Sequence, residues 1–253
     1  FRKAKALLIT GTGLSTSSMR GATWQAVKTA KESGCAIILD IDYRPVLWGL
    51  TEAGNGETRY VSSAAVSSEI KPFLSDLDLI VGTEEEIMIA GGEQTVEKSL
   101  SVIGSLVSAN VVLKQGPEGC VVYSADLKSS VSARSFKVEV LNVLGAGDSF
   151  MSGFLLGWLR NESLEKCALY GNACGALVVT RHGCSTSSPS FAEMEYFISN
   201  FDSVPNLKHD LKLNKLHSRT EFGMLQNRKL LMLDFDHRNI FEKSCREMNL
   251  PQD

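Results

Sequence analysis

The string Gly145-Ala146-Gly147-Asp148 runs directly into an amphipathic stretch, Ser149–Arg160, whose Phe150, Met151, Phe154, Leu155, Trp158 and Leu159 recur at helical spacing. Two glycines ahead of a helix let the backbone turn free N–H groups toward one point. The helix start adds partial positive charge there, so an anion such as a phosphate fits. Asp148 lies in the first turn. A carboxylate in that place can take the proton of a hydroxyl attacking a phosphorus atom held by the same N–H groups. The plainer reading of Asp148 is an N-capping residue after a glycine-rich loop. Other chemistry-bearing residues carry two readings as well. Lys114 ends an apolar run and either binds phosphate or snorkels to solvent. Arg44 is a ligand contact or a surface arginine over the turn before Pro45, and Asp40 closes its strand end, the favoured reading, or binds substrate. Glu84 and Glu85 fit a solvated helix start, which leaves Glu86 as the acid of interest. Gly11-Thr12-Gly13 is too common a turn to count as a phosphate loop. Asp234 and Asp236 share one face of a short strand by default and are assigned no metal.

The elements that must position these residues follow from the pattern. Short apolar runs at Ala6–Thr10, Ala36–Asp40, Leu77–Val81 and Val111–Lys114 predict strands, and helical periodicity predicts helices over Thr16–Ser33, Ser63–Leu74 and Val96–Ala109. Such alternation with all-apolar strands predicts an α/β fold, a mostly parallel sheet covered by helices on both faces. Gly119–Ser124 and Ala133–Val143 read as an added antiparallel edge. Helices follow at Gly147–Arg160, Leu164–Arg181 and Phe191–Asn200. Residues 1–202 therefore read as one core, 203–228 as a linker with room for a short helix, and 229–253 as the start of a second domain. That last stretch offers only a strand (Leu230–Asp234) and a helix (Asn239–Met248), and one βα unit cannot bury its own apolar face.

Composition narrows the function classes. Of 253 residues, 43% are hydrophobic and 22% charged, enough for a real core, and 26 Lys and Arg against 29 Asp and Glu leave a net charge of −3. With no basic stripe, a nucleic-acid partner is not expected. No apolar run approaches the ~18 residues of a membrane span, and no signal segment opens the chain. Six cysteines without a CxxC pair read as reduced thiols of a cytoplasmic protein. Four scattered histidines add no metal-ligand spacing. No GxGxxG follows the first strand and no GxxxxGK[ST] occurs, which disfavours a Rossmann dehydrogenase and a P-loop NTPase.

Five stretches, in order, carry a family resemblance. Val140–Phe150 (VLNVLGAGDSF) resembles the D-T-x-G-A-G-D signature of the PfkB, or ribokinase-like, carbohydrate kinases. Gly82-Thr83-Glu84-Glu85-Glu86 is similar to the family's N-x-x-E region, with Glu86 in the acid position. Lys114–Gly119 (KQGPEG) matches its K-x-G-x-x-G turn, and Asn172–Ala176 with Arg181-His182-Gly183 resembles the nucleotide-side helix and closing loop. Asp40–Trp48 (DIDYRPVLW), Gly82–Glu86 and Asn172–Cys184 also resemble the branch of the family acting on a 2-deoxy keto-sugar acid of inositol catabolism. That branch is often fused to an aldolase-like barrel, whose opening strand is similar to Phe235–Arg238.

The resemblance implies ATP and Mg²⁺ as cofactors, leaves room for a monovalent cation, and makes a small sugar the partner. It gives Asp148 the role of general base and the N–H groups of Gly145, Ala146 and Gly147 that of an anion hole. Glu86 would hold Mg²⁺ through water. Lys114, Gly116, Gly119, Asn172 and Gly183 would line the nucleotide. Asp42 and Arg44, beyond a strand end, become candidates for substrate contact. Three positions depart from the family pattern: Asn142 replaces Asp, Leu144 replaces a small polar residue, and Thr83 replaces Asn. The family's N-terminal portion, with its first glycine-rich signature and sugar lid, is not recognisable. A sheet lacking those strands would leave apolar edges that invite self-association, hence a homo-oligomer. The alternative function is a non-catalytic nucleotide-binding remnant.

Overall fold

Four of the apolar runs form the parallel part of a single six-stranded sheet: β1 (Ala6–Thr10), β2 (Ala36–Asp40), β3 (Leu79–Thr83) and β4 (Asn110–Lys114). The antiparallel strands β5 (Cys120–Tyr123) and β6 (Ser130–Ser132) complete it, in spatial order β1-β2-β3-β4-β5-β6. The computed structural model describes residues 1–52, 58, 60–203 and 210–217.

The strand order dictates where the helices go. A parallel sheet that grows in one direction through right-handed crossovers keeps every crossover helix on one face. The crossover helices are α1 (Ser17–Glu32), α2 (Ala64–Leu74), α3 (Glu84–Gly91) and α4 (Val96–Leu106). Their buried residues Val27, Ile70, Phe73, Ile87 and Ile103 join Ile37, Leu39, Ile80, Val111 and Leu113 in one core. The opposite face has to be covered from later in the chain. There α5 (Ala146–Trp158) and α6 (Leu164–Val179) pack Phe150, Met151, Phe154 and Cys167 on Ile38, Leu79, Val81, Val112 and Val122. The two cores take alternate residues of the same strands, as period-2 side chains require. A third cluster joins α6 to α7 (Phe191–Asn200) through Leu177, Met194 and Phe197, with Phe136.

Capping fixes the helix starts. Thr16 accepts from the Met19 N–H, Ser63 from Val66 and Thr95 from Lys98, while Thr83 and Ser190 form full capping boxes with Glu86 and Glu193. β1 is the outer strand, and Leu8, on the face that α5 and α6 cover farther along, is 43% exposed.

Several boundaries differ from the sequence reading, one of them substantially. Ala133–Val143 is not a strand; only Ser130–Ser132 pairs with β5. Its alternating Phe136 and Val138 dock on the third cluster, and the Leu141 and Asn142 N–H groups donate to Val179 O at 2.8 and 3.1 Å. Side-chain burial thus produced the strand-like pattern without a ladder. β3 starts at Leu79, because the Leu77 N–H is held by Leu74 O at the end of α2. Helix α4 ends at Leu106, since Val107 is already extended.

Backbone contacts divide the chain into Phe1–Leu216 and His217–Asp253. Helix α8 (Leu211–His217) falls in the stretch read as a linker, and its Leu213 is buried in the third cluster. The strand and helix expected within 229–253 lie outside the described residues. Among those residues no helix is long and apolar enough to cross a membrane.

Burial pushes the Cys120 and Cys174 thiols up to about 12 and Cys167 to about 11. At pH 8 the thiolate fraction of each is then roughly one in a thousand or less. Native iodoacetamide labelling at that pH, read by peptide mass mapping, should modify the half-buried Cys184 and spare these three, whereas urea-unfolded protein labels all four. Rapid native modification of Cys120 would contradict this packing.

Candidate active site

The polar groups singled out by the sequence gather at the C-terminal ends of the parallel strands, where open α/β sheets bind ligands. Helix α5 begins at Ala146 after Gly145, whose φ of 80° lies in the left-handed region and whose side-chain position caps nothing. A Cβ on Gly145 would stand 2.6 Å from Cys184 Sγ, so only glycine lets the 181–184 loop close against the helix start. The Ala146 N–H donates to Val143 O at 3.2 Å and that of Ser149 to Gly145 O at 2.9 Å. Among the described residues the N–H groups of Gly145, Gly147 and Asp148 find no protein acceptor. The donors at the start of α5 therefore include Asp148's own N–H, which the sequence reading missed, while that of Ala146 is already engaged.

Helix α5 is held rigidly against α6. Ser149 Oγ, buried, donates to Cys174 O at 3.1 Å, and Gly153 lets α6 approach so closely that a Cβ there would lie 2.5 Å from Tyr170 O. Asp148 itself is exposed.

Period-2 alternation aims two charges at this point. Asp40 shares a face with Ile38, and Lys114 with Val112, the face that α5 covers. Lys114 Nζ lies 3.3 Å from Asp40 Oδ1 and 3.6 Å from Glu86 Oε2, with the side chains only 14%, 11% and 14% exposed. A Cβ on Gly147 would sit 3.8 Å from Lys114 Nζ. The ammonium thus reaches the start of α5. Glu86 is oriented by the capping box, its Oε2 accepting the Thr83 N–H at 2.7 Å while Thr83 Oγ1 accepts the Glu86 N–H at 3.3 Å. Burial raises Asp40 to about 6, against the pull of Lys114 and with added repulsion from Glu86. Burial also works against the charge of Lys114, but Asp40 and Glu86 outweigh it and hold the ammonium above its ordinary range.

The remaining candidates fall into three groups. Gly116 and Gly119, with φ of 57° and 91°, shape the turn between β4 and β5. Gly119 touches Asn172, which is buried and spends its amide hydrogens on Ala133 O and Arg134 O, leaving one acceptor, Oδ1, without a partner. Gly183, with φ of 105°, offers its carbonyl to Asn142 Nδ2 at 3.0 Å, and the Leu144 N–H donates to Asn142 Oδ1 at 3.0 Å. Asn142 so ties the closing loop to the segment ahead of α5, a bridge across 41 residues that no local pattern announces. Asp42, at a φ of 33°, pairs with Arg44 Nε at 3.0 Å just past the end of β2. Arg181 anchors the closing loop through buried Glu193 at 2.9 Å. Asp40, read from sequence as a strand terminator, belongs to the charged centre. The available signal was its shared face with Lys114.

A helix start with open N–H groups and a lysine beside it thus lies at the strand ends of a mostly parallel sheet. Residues 1–190 match the model of the pfkB family carbohydrate kinases, and the chain belongs to that family. It is 33% identical over 201 residues to a 5-dehydro-2-deoxygluconokinase of Bacillus licheniformis, covering 78% of this chain and 57% of that one. The chain thus spans little more than half the length of that relative. The fold is shared with fructokinase from Vibrio cholerae solved with fructose, ADP and calcium, at a TM-score of 0.66 and 24% identity over 78% of this chain and 62% of the other. A double mutant of that fructokinase, solved with fructose, ADP and potassium, superposes equally, at 0.66 and 24% identity, over 78% and 61% of the two chains.

Gly145→Ala should destabilise the chain by about 1–2 kcal/mol from the left-handed backbone alone, and further because the new methyl meets Cys184. Gly116→Ala, at a positive φ with nothing within 4 Å, should cost only the backbone part. Urea unfolding midpoints of the two variants make the comparison; equal losses would mean that the 181–184 loop does not rest on Gly145.

Proposed function

We propose that this chain carries the phosphate side of an ATP-dependent sugar kinase whose substrate is 5-dehydro-2-deoxygluconate. The observation that carries the reading is the Lys114 ammonium set beside the start of α5, where unpaired N–H groups and Asp148 also lie.

The residues fit the reaction. The oxygen of a substrate hydroxyl attacks the γ-phosphorus of ATP, its proton passes to the Asp148 carboxylate, and the bond from that phosphorus to the β-phosphate oxygen breaks to release ADP. Negative charge on the transferring group is met by the N–H groups of Gly145, Gly147 and Asp148, by the dipole of α5 and by Lys114. These donors are held before the substrate arrives, so none has to reorganise as charge moves. Glu86 has an oxygen, Oε1, free to take a water of Mg²⁺, a cation that keeps most of its waters and would supply further neutralisation of the phosphates. Gly116 and Gly119 leave the β4–β5 turn low beside the nucleotide, and the Gly183 loop closes the adenine side. Asp42 and Arg44 form the candidate sugar contact.

The choice of sugar acid rests on the Asp40–Trp48 and Asn172–Cys184 strings and on the identity with the Bacillus licheniformis kinase. The potassium bound in the fructokinase variant of the same fold supports a monovalent cation. Reduced thiols fit a cytoplasmic setting, and the outer strand β1 fits a homo-oligomer.

Asp148→Asn should lower phosphoryl transfer to 5-dehydro-2-deoxygluconate by roughly 10²–10⁴, the range of a general base. Affinity for Mg·ATP should stay within a few-fold, because the base acts mainly in the transition state. ADP release and calorimetry on the same preparations measure the two quantities. Substantial turnover by the variant would remove Asp148 from the mechanism, and a parent chain that binds Mg·ATP without transferring phosphate would favour the non-catalytic reading.

A further inference from the structure

Lys114 presents a difficulty. An ammonium already flanked by two carboxylates is a poor attractor of a third anion, yet it stands at the helix start where a phosphate fits. Its stereochemistry resolves this. An ammonium has three N–H donors. One faces Asp40 Oδ1 at 3.3 Å and one faces Glu86 Oε2 at 3.6 Å. With both directions fixed, the tetrahedral nitrogen has one N–H left, and the Cβ position of Gly147, in the first turn of α5, lies 3.8 Å from that nitrogen.

We propose that Asp40 is a positioning residue, which with Glu86 fixes the Lys114 ammonium so that its third N–H is directed at the phosphate held by the start of α5. This rests on the kinase reading given above. Two features of the fold support it. Asp40 ends β2 and Lys114 ends β4, so the pair spans β3 between them, and its geometry is set by the sheet rather than by a loop. Lysine otherwise has the largest class of side-chain rotamer freedom, which a single carboxylate only partly removes. Glu86 cannot do this alone, because its Oε2 is shared with the Thr83 N–H. The short distance to Asp40 makes that contact the better of the two.

The role predicts a sign that competing explanations do not share. Asp40→Asn keeps the size of the side chain and removes one negative charge from the neighbourhood of a bound anion. A pure charge effect would therefore tighten Mg·ATP binding. A general loosening of the strand ends would weaken it whether or not Lys114 is present. Positioning weakens it only through Lys114.

The test is a double-mutant cycle on the whole chain, with Mg·ATP binding followed by calorimetry in the parent, Asp40→Asn, Lys114→Ala and the double variant. Thermal unfolding of each confirms that it is folded. Lys114→Ala should cost at least about tenfold in affinity, the loss of a charge-assisted hydrogen bond. Asp40→Asn should cost about fivefold in the parent and nothing, or a gain, in the Lys114→Ala background. Equal losses in both backgrounds, or tighter binding in both, would overturn the proposal. Absence of binding by the parent chain would instead overturn the kinase reading beneath it, and the proposal with it. A variant that fails to fold is replaced by Asp40→Glu. Retained acid with a longer reach should restore part of the affinity if the carboxylate acts by holding Lys114, and its failure to do so in a folded protein counts against the proposal.

Discussion

A charge that leaves water must be paired, and at the strand ends of this sheet one ammonium is paired with two carboxylates. The cost of burying Lys114 alone would be several kcal/mol, so the site exists only while Asp40 and Glu86 stand where they do. That requirement reaches into three elements. β2 must end on Asp40, β4 must end on Lys114, and the connection from β3 must turn at once into a helix so that Glu86 falls in its first turn. A slip of one residue in β2 or β4 would carry its charge to the opposite face, into the apolar core under α1–α4. The same register that buries Ile38 and Val112 under α5 therefore aims Asp40 and Lys114 at the start of that helix.

The second half of the site depends on how closely helices approach. α5 can offer N–H donors beside Lys114 only if its first turn lies over the strand ends, and α6 fixes it there through Gly153 and the buried Ser149 hydrogen bond. The loop after α6 then returns to the same place, its Cys184 resting on Gly145, and buried Arg181–Glu193 ties that loop to α7. Packing, capping and site geometry are in this sense one set of contacts. A change that loosens α5 on α6 would be felt at the start of α5 before it was felt in the sheet.

Much of this was legible in the residues. The four apolar runs, the helical stretches beginning at Thr16 and Ser63 and the GAGD string each carry a local signal, and those elements formed as read, within a residue or two at most ends. What was not legible depends on distance across the fold. Phe136 and Val138 alternate like strand residues, yet burial against α6 and α7 satisfies them as well as a ladder would. Asp40 looked like a terminator because its partner, Lys114, is 74 residues away. Asn172 shows the same limit, since its amide hydrogens go to the backbone at Ala133 and Arg134, 39 and 38 residues away. The family and fold reading needed only ordered motifs; the wiring between them needed coordinates.

The departures from the family pattern make physical sense once that wiring is known. At Asn142 the side chain must donate to Gly183 O and accept from the Leu144 N–H at the same time. An amide does both, whereas an ionised carboxylate only accepts and would face the Gly183 carbonyl with no proton between them. Asn142 thus closes the 181–184 loop over the start of α5 without adding a negative charge there. Thr83 works in a comparable way. Its hydroxyl caps the Glu86 N–H, and its own N–H returns to Glu86 Oε2, so the acid is oriented by a capping box that needs no asparagine. Both replacements work through hydrogen bonds rather than added charge, so the carboxylates that face Lys114 remain Asp40 and Glu86.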